Sequence, residues 1–237
     1  MFHRHKTQGI IIKKDDWKET DRFFTVYTKD FGKINVLGRG IRKITSKLRL
    51  GMEVFYYSEM EFIQRKNYKI LVDAVLIDRF EEIRTDLKKT IVAYKILRIF
   101  DNLTQGQEKD EKGWVLLLDS LKGLNDQKDY KIVYYYFFWN LLSLLGYSPN
   151  FYHCSICRNK LEYKKNYFNL KEGVVVCPNC FQKRMGWEEI SPGLIKILRI
   201  LLEDKKIVFN LKINQNQINL LKKLSQDYLS SFANKHE

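Results

Sequence analysis

The chain has 237 residues, 45% of them hydrophobic, and carries a formal net charge of +14 from 42 basic and 28 acidic side chains. That supplies a core for one large domain or two small ones. Three prolines and the lack of a Gly/Ser tract argue against an extended disordered linker. The charge is uneven: residues 1–80 hold 17 basic and 10 acidic groups, 81–150 ten of each, and 151–237 fifteen and eight. Basic ends around a neutral middle fit a polyanionic partner, and equally fit a surface solvated by lysine.

In chain order, Thr7–Lys13, Arg22–Thr28, Lys33–Leu37, Met52–Glu61 and Lys69–Arg79 read as strands, being short and rich in Ile, Val, Phe, Tyr and Thr. Ile10-Ile11-Ile12 is too short to be the apolar core of a secretory signal. Gly32 follows Lys29-Asp30-Phe31 in a tight turn between the second and third strands. The segment Gly38–Gly51 interrupts the strands with three glycines and with Arg39, Arg42, Lys43, Lys47 and Arg49. Five strands with one long basic connection suit a small closed barrel. An OB-fold is the commonest such barrel for nucleic acids, but the strand pattern alone leaves an SH3-like barrel open.

After Arg79 the periodicity becomes helical. Ile83, Leu87, Ile91 and Tyr94 recur at helical spacing, as do Leu221, Leu224 and Tyr228. Tyr130–Leu145 contains six consecutive aromatics, Tyr134 to Trp139. Exposed rings stack bases, but six in a row point all around a helix, which favours burial. The apolar stretch Ile132–Tyr147, broken by Asn140 and Ser143, falls short of the ~20 residues that cross a bilayer. A cytoplasmic protein without a membrane partner is expected. Ser191-Pro192 reads as an N-cap with proline at the first helical position, launching Leu194–Leu202.

Cys154-x2-Cys157 and Cys177-x2-Cys180 lie 19 residues apart, the spacing of a four-cysteine structural zinc site. Tyr167–Leu170 and Val174–Val176, joined through Lys171-Glu172-Gly173, predict a hairpin leading into the second pair. All four cysteines are used, and a site closed by four thiolates leaves no open position for activating water. Disulfides are disfavoured inside a cell. His153 is a neighbour and an alternative ligand.

The sequence contains no G-x-x-x-x-G-K-[ST], H-E-x-x-H or G-x-S-x-G motif. His3, His5, His153 and His236 form no catalytic cluster, and the acid pairs Asp15-Asp16 and Glu188-Glu189 point to opposite faces if they lie on strands. Enzymatic activity and a small-molecule substrate are not expected.

These residues resemble the bacterial recombination mediator family RecO. The likeness runs through Thr7-x-Gly9-Ile10-Ile11-Ile12, Trp17-x-Glu19-Thr20-Asp21-Arg22, Gly32-Lys33-Ile34, Gly38-Arg39-Gly40-Ile41-Arg42-Lys43 and Ser46-Lys47-Leu48. It continues in Leu145-Gly146-Tyr147-x-Pro149 and in Gly173 before Cys177-x2-Cys180, covering roughly 7–202. Many relatives carry two glycines where this chain has Gly173-Val174, and 101–131 matches nothing. The resemblance implies an N-terminal OB-fold over 1–80 and a helical domain over 81–237 with an embedded zinc finger at 154–180. It further implies binding of single- and double-stranded DNA and annealing of complementary strands. With RecR, and in some settings RecF, such proteins help RecA replace SSB, whose acidic C-terminal tail they contact. The alternative from another class is a zinc-stabilised RNA-binding or protein-interaction module.

Overall fold

The computed structural model describes residues 3–66, 68–104, 106, 108–127, 129–182, 186–203 and 205–233. His236 lies outside them. The chain divides into two compact units, Met1–Tyr130 and Lys131–Glu237.

In the first unit β1 (Arg4–Trp17), β2 (Asp21–Thr28), β3 (Gly32–Gly38), β4 (Tyr57–Gln64) and β5 (Lys69–Asp78) close into a barrel of order β1-β2-β3-β5-β4. All pairs are antiparallel except β3 with β5, where Val36 and Leu37 run parallel to Lys69 and Ile70. That closure is the OB arrangement and removes the SH3-like alternative. The alternating inward residues Ile11, Phe24, Val26, Ile34, Val36, Met60, Phe62 and Leu71 fill the interior.

β1 is longer than the periodicity suggested. Its first half pairs with β4 and its second half with β2, the switch made through a register shift between Ile11 and Lys13. Gly9 stands where the two pairings meet, and a Cβ there would lie 2.6 Å from Val26 Cγ1. β4 starts at Tyr57, later than Met52, because Phe55 takes a positive φ of 75°. The residues before it still bond to β1: Phe55 N–H donates to Ile11 O at 3.0 Å, and Ile11 N–H to Tyr56 O at 3.1 Å.

Three helices complete this unit: α1 (Glu81–Thr85), α2 (Leu87–Leu103) and α3 (Glu111–Asp126). Asp86 caps α2 by accepting from the N–H groups of Lys88 and Lys89, and Asp110 caps α3 through Gly113 N–H. The buried face of α2 differs from the expected stripe. Val92, Ala93, Ile96, Leu97 and Phe100 point inward, while Leu87, Ile91 and Tyr94 are exposed. Ile83 is buried, but on α1, so the spacing spanned two helices. α3 was not anticipated, although Trp114, Leu117, Leu121 and Leu124 recur at helical spacing and are all buried.

The second unit begins with α4 (Tyr130–Leu144), in which Tyr135 to Trp139 are all buried. Its aromatics are core, stacked against one another and, through Trp139, against Phe151 and Tyr228. A three-stranded sheet of order β7-β6-β8 follows, from β6 (Asn166–Asn169), β7 (Val174–Val176) and β8 (Trp187–Ile190). The β6–β7 hairpin matches the pattern; β8 is an addition. Helices α5 (Pro192–Leu201), α6 (Lys205–Phe209) and α7 (Gln215–Ala233) end the unit. Ser191 Oγ accepts from Leu194 N–H at 3.3 Å with Pro192 in the first turn, the expected cap. Leu221, Leu224 and Tyr228 are buried on α7.

Candidate nucleic-acid interface and metal centre

The basic connection between β3 and β4 is folded onto the barrel by its apolar and small residues. Ile41 and Met52 enter the core, Leu48 packs against it, and Gly51 lies so close to β5 that a Cβ would come within 2.7 Å of Ala74 O. Ser58 Oγ donates to Gly51 O at 2.6 Å. The chain between these anchors turns outward: Arg39, Arg42 and Lys43 sit around a turn closed by Lys43 N–H donating to Gly40 O, and Lys47 and Arg49 lie on the 3-10 helix Lys47–Leu50. All five cations are exposed.

Their electrostatic situations differ. Arg42 Nη1 lies 3.4 Å from an oxygen of Asp16, which also accepts from Arg22 at 2.6 Å. That hydrogen bond from Arg22 is the main reason the Asp16 carboxyl is held below its ordinary value. Arg39 Nη2 donates to the Tyr68 hydroxyl at 3.1 Å and, among the described residues, makes no ion pair. Among the described residues, Lys43, Lys47 and Arg49 form no ion pair. Such a set of exposed cations beside an OB rim can pair with phosphates without reading bases.

The four cysteines converge in the second unit. Cys154 and Cys157 lie on one turn, in which Arg158 N–H donates to Cys154 O at 3.0 Å and Arg158 takes a φ of 63°. Cys177 and Cys180 lie on a second turn, with Cys180 N–H donating to Cys177 O at 3.1 Å. Ser155 N–H donates to Val175 O at 2.9 Å and joins the first turn to β7. All four Sγ atoms fall within 4.8 Å of one another, and Cys157 Sγ is 3.8 Å from Cys177 Sγ. A tetrahedron with metal–sulfur bonds of about 2.3 Å has edges of roughly 3.8 Å, so the cage fits a thiolate-bound ion.

The thiols differ in their electrostatics. Burial pushes Cys154 up, but backbone N–H groups of Cys177, Cys157 and Ile156 outweigh it and bring the thiol down to about 6. Cys180 is pushed up to about 12, first by hydrogen bonding with Cys157 and then by lost hydration. Four thiols this close cannot all ionise without a cation among them. His153 is exposed and is not part of the cluster.

Among the described residues, His5 and the acid pairs singled out in the sequence have other partners. The His5 ring packs between Phe31 and Phe62. Asp15 pairs with Lys13, Asp16 with Arg22 and Arg42, Glu188 with Lys223 and Glu189 with Lys165. No helix among the described residues is long and apolar enough to cross a membrane. Two exposed aromatics border the rim: Trp17 at the end of β1, present in the sequence only as part of the family likeness, and Tyr68 in the turn after β4, which carried no signal of its own.

Fold and site together define an OB-barrel protein with a cysteine-caged helical unit. Family comparison gives the lineage. The model described as "Recombination protein O N terminal" matches residues 1–80, and "Recombination protein O C terminal" matches 84–233. The chain belongs to this recombination protein O family. A protein of Dehalococcoides mccartyi is 30% identical over 214 residues, covering 90% of this chain and 84% of its own length. One from Roseiflexus sp. is 31% identical over 197 residues (83% and 69%), and one from Acetivibrio thermocellus 29% over 234 (98% and 92%). Each of the three is named DNA repair protein RecO.

Proposed function

We propose that this chain is a cytoplasmic recombination mediator in DNA repair, acting by binding and not by catalysis. It binds single- and double-stranded DNA, anneals complementary strands and, with RecR and in some settings RecF, helps RecA replace SSB. The observation that carries this reading is the exposed cluster Arg39, Arg42, Lys43, Lys47 and Arg49 beside an OB rim in a chain of the recombination protein O family. Bound phosphates release their counterions to solution, which drives association regardless of sequence. Neutralising two backbones then lowers the repulsion between strands, while base pairing supplies the free energy of annealing. The ion held by Cys154, Cys157, Cys177 and Cys180 is one structural zinc: the four-thiolate tetrahedron suits zinc, and no position is left open.

The test is annealing of complementary strands coated with SSB, with the wild-type chain and with Arg39, Arg42, Lys43 and Lys47 all replaced by Ala. The wild type accelerates annealing and the variant does not. In direct binding the variant's log–log salt slope shrinks by about 0.7–0.9 for each phosphate no longer neutralised, to a similar degree on every DNA sequence. An unchanged slope would make the segment only a solvated turn and put the phosphate contacts elsewhere on the chain.

A further inference from the structure

The hydrogen bonds of the basic turn tie it to the β1–β2 and β4–β5 turns, each bordered by an exposed aromatic ring. At one end, Arg42 N–H donates to Thr20 O at 2.9 Å and Arg42 Nη1 to Lys18 O at 3.4 Å, which fastens it to the turn after β1. Trp17, the last residue of β1, is 49% exposed and rests edge-on against Phe23, with ring centroids 5.5 Å apart. At the other end, Arg39 holds the Tyr68 hydroxyl from the turn after β4, and Tyr68 is 38% exposed. Between the two, Gly40 N–H donates to Asp21 Oδ1 at 2.7 Å and keeps the turn against β2. Register independently puts these turns at one end of the barrel, since Trp17 pairs with Asp21, Arg22 with Gly38, and Gln64 with Lys69.

We propose that Trp17 and Tyr68, held on either side of the Arg39–Arg42 turn, form a base-stacking subsite for unpaired strands. The inference rests on the rim binding DNA and adds what phosphate pairing cannot supply, a preference for single strands. Every base has a π-face, which a single strand offers to solvent and a duplex keeps inside its stack. The two guanidinium groups between the rings can pair with phosphates of a strand whose bases stack. Trp17 is supported from behind by Phe23, and Arg39 orients Tyr68 while keeping its own charge for a phosphate. Single exposed aromatics are common on protein surfaces; here Tyr68 is bonded to the basic turn through Arg39, and Trp17 ends the strand whose following turn holds Arg42.

The experiment compares the full chain with Trp17→Ala, Tyr68→Ala, the double variant and Trp17→Phe, using oligo(dT) and a blunt duplex as probes. Each alanine variant should lose on the order of ten- to a hundredfold in oligo(dT) affinity. Duplex affinity and salt slope should stay as in the wild type, and Trp17→Phe should retain most of the oligo(dT) binding. Oligo(dT) should also quench wild-type tryptophan fluorescence more than that of Trp17→Phe, a readout independent of whether the alanine variants fold. Equal losses on both probes would make the rings mere supports of the turn and overturn the proposal. Unchanged affinities in variants of a chain that binds DNA would overturn the stacking alone and turn the rings toward a protein partner. Failure of the wild type to bind either probe would overturn both readings.

Discussion

At the scale of single residues, the clearest constraint falls on Gly173. It takes a φ of 68°, and a Cβ there would lie 2.6 Å from the Tyr228 hydroxyl, which itself donates to Tyr147 O at 2.6 Å. Gly173→Ala should cost roughly 1–2 kcal/mol for the left-handed backbone alone, with the clash in addition. For a chain of this size each kcal/mol lowers Tm by about 2–4 °C. In a Tyr228→Phe background the penalty should shrink toward the backbone cost, and a thermal double-mutant cycle measures the difference. Gly173 alone takes this conformation, because Val174 already lies in β7. Glu53 makes a second residue-scale case. Desolvation raises its carboxyl, but the Lys14 hydrogen bond at 2.5 Å and Val54 N–H hold it below the ordinary 4.5. Its contribution to stability is therefore fully present above pH 4.5 and lost as pH falls through the depressed value. Urea melts taken from neutral pH downward should show a shallower acid loss for Glu53→Gln than for the wild type.

At the scale of elements, the cysteine turns and the sheet they serve form one structure. β7 contributes the buried Val175 and Val176, and Phe168 of β6 packs against Phe151 and Tyr228. Metal binding is coupled to the folding of those turns because it needs all four thiolates at once. One mole of zinc per chain should be found after purification without chelator. Cys177→Ser should lose the metal and lower the melting temperature of Lys131–Glu237, while Met1–Tyr130 keeps its DNA affinity. Metal analysis beside calorimetry decides this; a metal-free wild type of unchanged stability would refute the cage as a metal site. The cysteine pairs and the β6–β7 hairpin were legible in sequence because turn spacing and a glycine are local properties. β8 was not, since its four residues, Trp187–Ile190, pair with β6 about twenty positions earlier and show no pattern of their own.

For the whole molecule, charge and partner choice are linked. Residues 151–237 hold fifteen basic and eight acidic groups, and Ile207 and Leu220 are exposed after Ser191. We propose that the acidic SSB tail implied by the family resemblance binds in this region, so that deleting it abolishes stimulation on coated strands and spares annealing of naked ones. Charge attraction alone is screened beyond ~8 Å at physiological salt, so apolar packing must contribute. Equal activity with and without the tail would reduce the chain to a general annealing factor. What the sequence by itself determined are properties set within a few residues: the strand alternation, the cap at Ser191, the cysteine spacing and the basic composition of the β3–β4 connection. Only the tertiary structure decided that β3 and β5 pair in parallel, that Leu87, Ile91 and Tyr94 face outward, and that Trp17 and Tyr68 flank one basic turn. Those outcomes rest on hydrogen bonds and packing between residues tens of positions apart, which local periodicity does not encode.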